Sequence, residues 1–144
     1  MSARYLLDVN LLLALAWESH QYHATSRRWV KRAGSGSFAT CPITQIGFLR
    51  LSCNPAFTSD ALTPLAAMEV LESIVRLPGH EFWPDNLTAN EAVMHASALT
   101  CHQQLTDAYL VGLAQSRGGR FATMDKRVAA SAGPTVSALV ELVA

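Results

Sequence analysis

Residues 4–17 read RYLLDVNLLLALAW. The first five, RYLLD, are short, apolar and end in an acid, which suits a central parallel strand buried on both faces. Asn10 then precedes LLLALAW, a helix for which Asn10 is a suitable N-cap. A strand that runs straight into a helix is the repeating unit of a parallel α/β domain. An unpaired carboxylate in so apolar a stretch is costly. Asp8 therefore needs a partner: a metal ion, a cation or a ring of N–H groups.

The same alternation continues along the chain. Residues 20–33 (HQYHATSRRWVKRA) predict a second helix, with Tyr22, Trp29 and Ala33 on its inner face. GSGS at 34–37 ends it, and residues 38–41 form a second short strand closed by Pro42. Residues 44–52 predict a third helix, broken at Asn54-Pro55. Thr63 and Pro64 then start a fourth as cap and first helical residue, running to about Leu77. Residues 81–83 are a strand candidate, and 88–99 a helix with Ala92, His95, Ala96 and Leu99 on one side. TDAYLVGLAQS at 106–116 is the clearest helix, capped by Thr106 and stopped at Gly118-Gly119. RFAT at 120–123 is a strand, after which Asp125 opens a helix. Thr135-Val136 is expected as a last strand before a terminal helix over 137–143. Strands alternating with helices predict a three-layer α/β/α sandwich around a mostly parallel sheet. The 144 residues fit one domain spanning 1–144.

Only 15% of residues are charged, against about 25% in a typical soluble domain. That favours a sheet covered on both faces, or apolar surface kept for a partner chain. The net charge of +0 excludes a strongly basic nucleic-acid binder. Contact with a polyanion would need a local patch or a bound metal. Three cysteines without a C-x-x-C argue against a disulfide framework or structural zinc, and for a reducing, cytoplasmic setting. The apolar N-terminus is interrupted by Asp8 and Asn10, so neither a signal peptide nor a membrane anchor is expected.

In open parallel sheets, ligands collect at the carboxyl ends of the strands. Asp8 sits at one such end, Asp125 just after another, and Asp107 at a helix N-terminus that opens on the same rim. Taken singly, Asp107 and Asp125 are better explained as helix caps. Taken together, three of only 11 acidic residues at rim positions form a candidate site. An all-oxygen set without a His/Cys cluster selects a hard cation, Mg²⁺ or Mn²⁺. Such an ion can activate water and neutralise phosphate charge.

At this point LLDVNLLLAL, CPITQIGFLRL, TDAYLVGLA and FATMDKRV, in that order and spacing, resemble the PIN-domain VapC toxins. His20, His23 and Trp29 resemble the branch with H-x-x-H-x-x-A-x-x-W. The resemblance implies an α/β/α sandwich and a divalent-metal endoribonuclease that leaves a 3′-hydroxyl and a 5′-phosphate. It also implies an RNA substrate, a VapB-like antitoxin that blocks the site, and a toxin homodimer. It makes Asp8, Asp107 and Asp125 the metal ligands. Asn10, Thr106 and Thr123 become polar residues that bond the aspartates or a water. One position departs from the family pattern: Gln45 stands where many PIN domains carry Glu. An amide oxygen carries no charge, so a Gln45→Glu change is expected to tighten Mg²⁺ binding if residue 45 faces the metal.

Arg50 suits either an RNA phosphate or a salt bridge to a site acid. Lys126 and Arg127 would supply a local positive patch, although a solvated helix face is the commoner reason for such a pair. His20 and His23 lack further ligands for zinc and are expected to cap or pack the second helix. Trp17, Trp29 and Trp83 are expected in core or interface. The competing function is a PIN-like module that binds RNA or protein without cutting. A phospho-accepting receiver domain would want an acidic pair beside Asp8, where Val9 and Asn10 stand. A dinucleotide fold would want G-x-G-x-x-G after the first strand.

Overall fold

A computed structural model describes residues 3–33, 35–93, 102–131 and 136–144. Its strands are β1 (Tyr5–Leu7), β2 (Phe38–Thr40), β3 (His80–Phe82), β4 (Arg120–Thr123) and β5 (Val140–Leu142). They form one parallel sheet in the order β3-β2-β1-β4-β5. Its helices are α1 (Val9–Ala16), α2 (His23–Ala33), α3 (Pro42–Ser52), α4 (Pro64–Val75), α5 (Ala89–Ala92), α6 (Leu105–Ser116) and α7 (Lys126–Ser131).

Strand alternation divides the core into two layers. Leu6, Ala39, Phe121 and Val140 face one way and pack with Leu110, Leu113 and Trp83. Leu7, Phe38 and Ala122 face the other way and pack with Leu11, Leu12, Trp29 and Phe48. The sheet is therefore covered on both faces, which gives the expected α/β/α sandwich. Two glycines set how closely helices approach. A Cβ at Gly112 would lie 2.0 Å from the Ala92 carbonyl oxygen, so α6 packs tightly on α5. A Cβ at Gly47 would lie 2.6 Å from Val9, where α3 crosses α1.

Several local expectations are corrected. Asp8, not Asn10, caps α1: Asp8 is extended (φ −61°, ψ 154°), while Asn10 is already inside the helix and exposed. Tyr22 is 44% exposed and precedes α2, whose inner face is Ser26, Trp29 and Val30. Thr106 does not cap α6; a 3-10 turn at His102–Gln104 leads directly into that helix. In place of the terminal helix there are a 3-10 turn at Ser137–Leu139 and a strand, Val140–Leu142. The cause is visible in burial: Val140 joins one core layer and Val143 the other. Residues three apart share a helix face but point to opposite faces of a strand. Thr88 does cap α5, but that helix ends at Ala92; His95, Ala96, Leu99 and Thr135 lie outside the described residues. No helix among the described residues is long and apolar enough to cross a membrane.

Candidate functional site

The sheet order reverses at β1, which lies between β2 and β4. In open α/β sheets, ligands bind beyond the carboxyl ends of the strands at such a switch point. Asp8 directly follows β1, and Thr123 is the last residue of β4. The parallel register pairs Leu7 with Ala122, so the next residues, Asp8 and Thr123, stand side by side.

Asp8 is 8% exposed. Its Oδ1 accepts the Val9 N–H at 2.7 Å, and its Oδ2 accepts the Thr123 hydroxyl at 2.6 Å. The same Thr123 oxygen accepts the Asp125 N–H at 3.0 Å. One buried hydroxyl thus ties the end of β1 to the turn after β4. Burial nevertheless raises the Asp8 pKa above 3.8, against the hydrogen bonds from Thr123 and Val9, and the Asp125 charge adds to the rise.

Asp107 stands in the first turn of α6. Its pKa is pushed up from 3.8 to about 6, first by burial and then by the charges of Asp8 and Asp125. Asp125 behaves oppositely. Arg127 grips it, with N–H and Nε on Oδ1 at 2.9 and 3.2 Å and Nη2 on Oδ2 at 3.1 Å. Those hydrogen bonds hold its carboxyl below the usual range.

The three aspartates therefore lie within one another's fields, as two strained carboxylates and one neutralised by arginine. Among the described residues they do not form a closed cluster of three metal-ligating side chains. The donor chemistry fits a hard divalent cation: carboxylate oxygens only, two of them destabilised as anions and relieved by positive charge.

The remaining predicted residues are placed as follows. Thr106 is exposed beside Asp107, and Lys126 is exposed beside Asp125. Asn10 and Arg50 line a shared groove between α1 and α3 with Val9 and Gly47. The groups that hydrogen-bond Asp8 are Thr123 and Val9, not Asn10. Gln45 donates its amide to the Thr40 hydroxyl at 3.0 Å, and that hydroxyl also meets His80 Nε2 at 2.7 Å. Gln45 is therefore tied to β2, and to β3 only through Thr40. His20 and His23 pack as expected: His20 Nδ1 accepts the Tyr22 N–H at 3.1 Å, and His23 Nδ1 lies 2.9 Å from the Ala14 carbonyl oxygen. Two features escaped the sequence. Arg127 binds Asp125 rather than forming a free patch, for which D-x-R spacing was a legible sign. The Gln45–Thr40–His80 chain joins residues 40 apart through Thr40 and His80, and nothing local signals it.

A family profile described as PIN domain matches residues 5–133. Among curated proteins of Mycobacterium tuberculosis, the chain is 39% identical over 128 residues to "Ribonuclease VapC39", covering 88% of this chain and 92% of that one. It is 39% identical over 123 residues to "Ribonuclease VapC38" (85% and 86%). It is 37% identical over 132 residues to "Ribonuclease VapC44" (91% and 92%).

Proposed function

The chain belongs to the PIN-domain family, with VapC ribonucleases as relatives, and from that premise we propose that it is a divalent-metal-dependent endoribonuclease. The observation that carries the reading is the buried Asp8 at the switch point, destabilised as an anion and sharing its field with Asp107 and Asp125. Asp8, Asp107 and Asp125 would hold Mg²⁺ or Mn²⁺. Bound there, the ion would supply an activated water and neutralise charge on the scissile phosphate.

The chain's own residues prepare that site. Thr123 fixes the Asp8 carboxylate through Oδ2 and the Asp125 backbone through its N–H. Asp125 becomes available as a ligand when Arg127 releases it, and the freed guanidinium is then suited to a phosphate oxygen. Exposed Thr106 and Lys126 flank the two outer aspartates, where a phosphate or water can meet them. The burial of Asp8 holds its carboxylate in a site largely shut off from water, where electrostatic stabilisation is stronger than in bulk solvent.

The family relationship further supports an RNA substrate, pairing with a VapB-like antitoxin, and toxin homodimers. The direct test is Asp8→Asn, assayed on labelled RNA with Mg²⁺ and with EDTA. Cleavage should vanish in the variant and in EDTA, while the circular dichroism spectrum is unchanged. Full activity in the variant would refute the assignment. RNA binding without metal-dependent cleavage by the wild type would instead indicate a non-cutting binding module.

A further inference from the structure

We propose that the outer face of α2 is a backbone-tracking surface for RNA, separate from the aspartate rim; it rests on the ribonuclease reading above. Four of the chain's 11 Lys and Arg residues, Arg27, Arg28, Lys31 and Arg32, lie on this helix, which holds no acid. All four are exposed, while Ser26, Trp29 and Val30 are buried beneath them. Since net charge is +0, the rest of the chain is net negative, and it includes the aspartate rim. A polyanion is therefore attracted to this protein through a local stripe, and α2 provides it.

The pattern is unfavourable for the helix alone. Arg27 with Lys31, and Arg28 with Arg32, are like-charge i,i+4 pairs, which destabilise a helix. The helix dipole compensates only the pair in the last turn, Lys31 and Arg32. The ion pairs among the described residues are Arg76–Glu72, Arg120–Glu141 and Arg127–Asp125, and none reaches α2. Four clustered cations held in no ion pair, with Glu18 the acid in the groove beside Arg27 and Lys31, complement a phosphate chain.

Position supports the same occupant. Asp8 caps α1, whose 8 residues span about 12 Å. His23 at the start of α2 touches Ala14 near the far end of α1. An RNA strand that leaves the rim along α1 reaches the start of α2 after about 12 Å and meets its first cations one turn further on.

The test uses the full chain with Arg27→Gln, Arg28→Gln, Lys31→Gln and Arg32→Gln combined. Affinity for a labelled RNA of about 30 nucleotides is measured in EDTA, where nothing is cut, from about 50 to 300 mM salt. The slope of log affinity against log salt should fall by about 2–3, since each single-strand phosphate contact contributes about 0.7. Arg27→Lys, Arg28→Lys and Arg32→Lys together should keep the wild-type slope. With Mg²⁺, the Gln variant should show a raised KM on the long RNA and an unchanged kcat on an oligonucleotide too short to reach α2. A slope change under about 0.7 overturns the proposal. So does an unchanged RNA slope with lost affinity for polyglutamate, which would assign the face to an acidic protein segment. Absence of cleavage by the wild type refutes the ribonuclease reading, while the EDTA titration still decides the role of α2.

Discussion

Asp107→Asn should make the metal-free protein more stable while removing its function. The rise of the Asp107 pKa from 3.8 to about 6 corresponds to about 3 kcal/mol against the charged form. The side chain is only partly buried, so solvent screening leaves on the order of 1–2 kcal/mol. Asp107 also gains from its place in the first turn of α6, and an amide there forfeits about 0.3–1 kcal/mol of dipole interaction. Burial involves no competing hydrogen bond, since only burial and neighbouring charges move this carboxyl. Relief of burial and repulsion outweighs that loss by about 1 kcal/mol, or roughly 2–5 °C in Tm. The pH dependence has a fixed sign. The folded pKa is the higher one, so the stability linked to the Asp107 proton is complete below 3.8 and is lost as pH rises to about 6. The variant's advantage should therefore be absent near pH 3.8, open across that interval and stay constant above it. Thermal unfolding in EDTA across the pH range measures this. Adding Mg²⁺ at about 100 times Kd should give the wild type about 2.7 kcal/mol that the variant gains less of, reversing the order. A variant less stable than wild type in EDTA at neutral pH would refute the reasoning, as would a gap that does not change with pH.

Thr123→Val keeps the shape but removes the hydroxyl on Asp8; urea unfolding should show a loss of about 1.5–3 kcal/mol, with cleavage reduced. The bond from Gln45 to Thr40, whose hydroxyl itself meets His80, alters the expectation for Gln45→Glu. The new carboxylate should chiefly raise the lowered His80 pKa, visible by NMR titration, and a clear gain in Mg²⁺ affinity by calorimetry would show that residue 45 reaches the metal instead. Gly112→Ala sets a methyl against the backbone oxygen of Ala92 at 2.0 Å and should destabilise by about 1–3 kcal/mol in chemical denaturation; wild-type stability would mean that α5 and α6 are not so closely held.

The sheet was legible where strand and helix signals did not compete. Leu6 and Leu7 point to opposite core layers, as a doubly covered strand requires, and RFAT at 120–123 is strand β4. The C-terminus was not legible, because LVELV suits either period until burial of Val140 and Val143 on opposite faces decides it. Thr106 failed as a cap for a conformational reason. A cap residue is extended, but α6 is entered from Gln104 at φ −87°, ψ −11°, which is already helical. Gln45 was placed toward the site by sequence position, yet its amide bonds Thr40, whose hydroxyl also meets His80 because β2 pairs with β3 and sets His80 beside Phe38. Arg127 was visible as a charge, but its partner depends on the turn after β4.

Asp8 shows why a cap and a ligand look alike in sequence. Both need a carboxylate at the start of a helix with its oxygens aimed at positive partners. The structure separates them energetically. Glu91, in the capping box at Thr88, has its pKa lowered by the hydrogen bonds it receives. A carboxylate acting only as a cap should respond in the same way. Asp8 also receives two hydrogen bonds, from Val9 and Thr123, yet its pKa is raised because burial outweighs them. Hydrogen bonding therefore leaves its charge under-compensated; the charge that acts on it is the Asp125 anion, and its own charge acts on Asp107. A cation at this rim would relieve Asp8 and Asp107 and could take Asp125 from Arg127, which is the ground for proposing Asp8 as a ligand position as well as a cap.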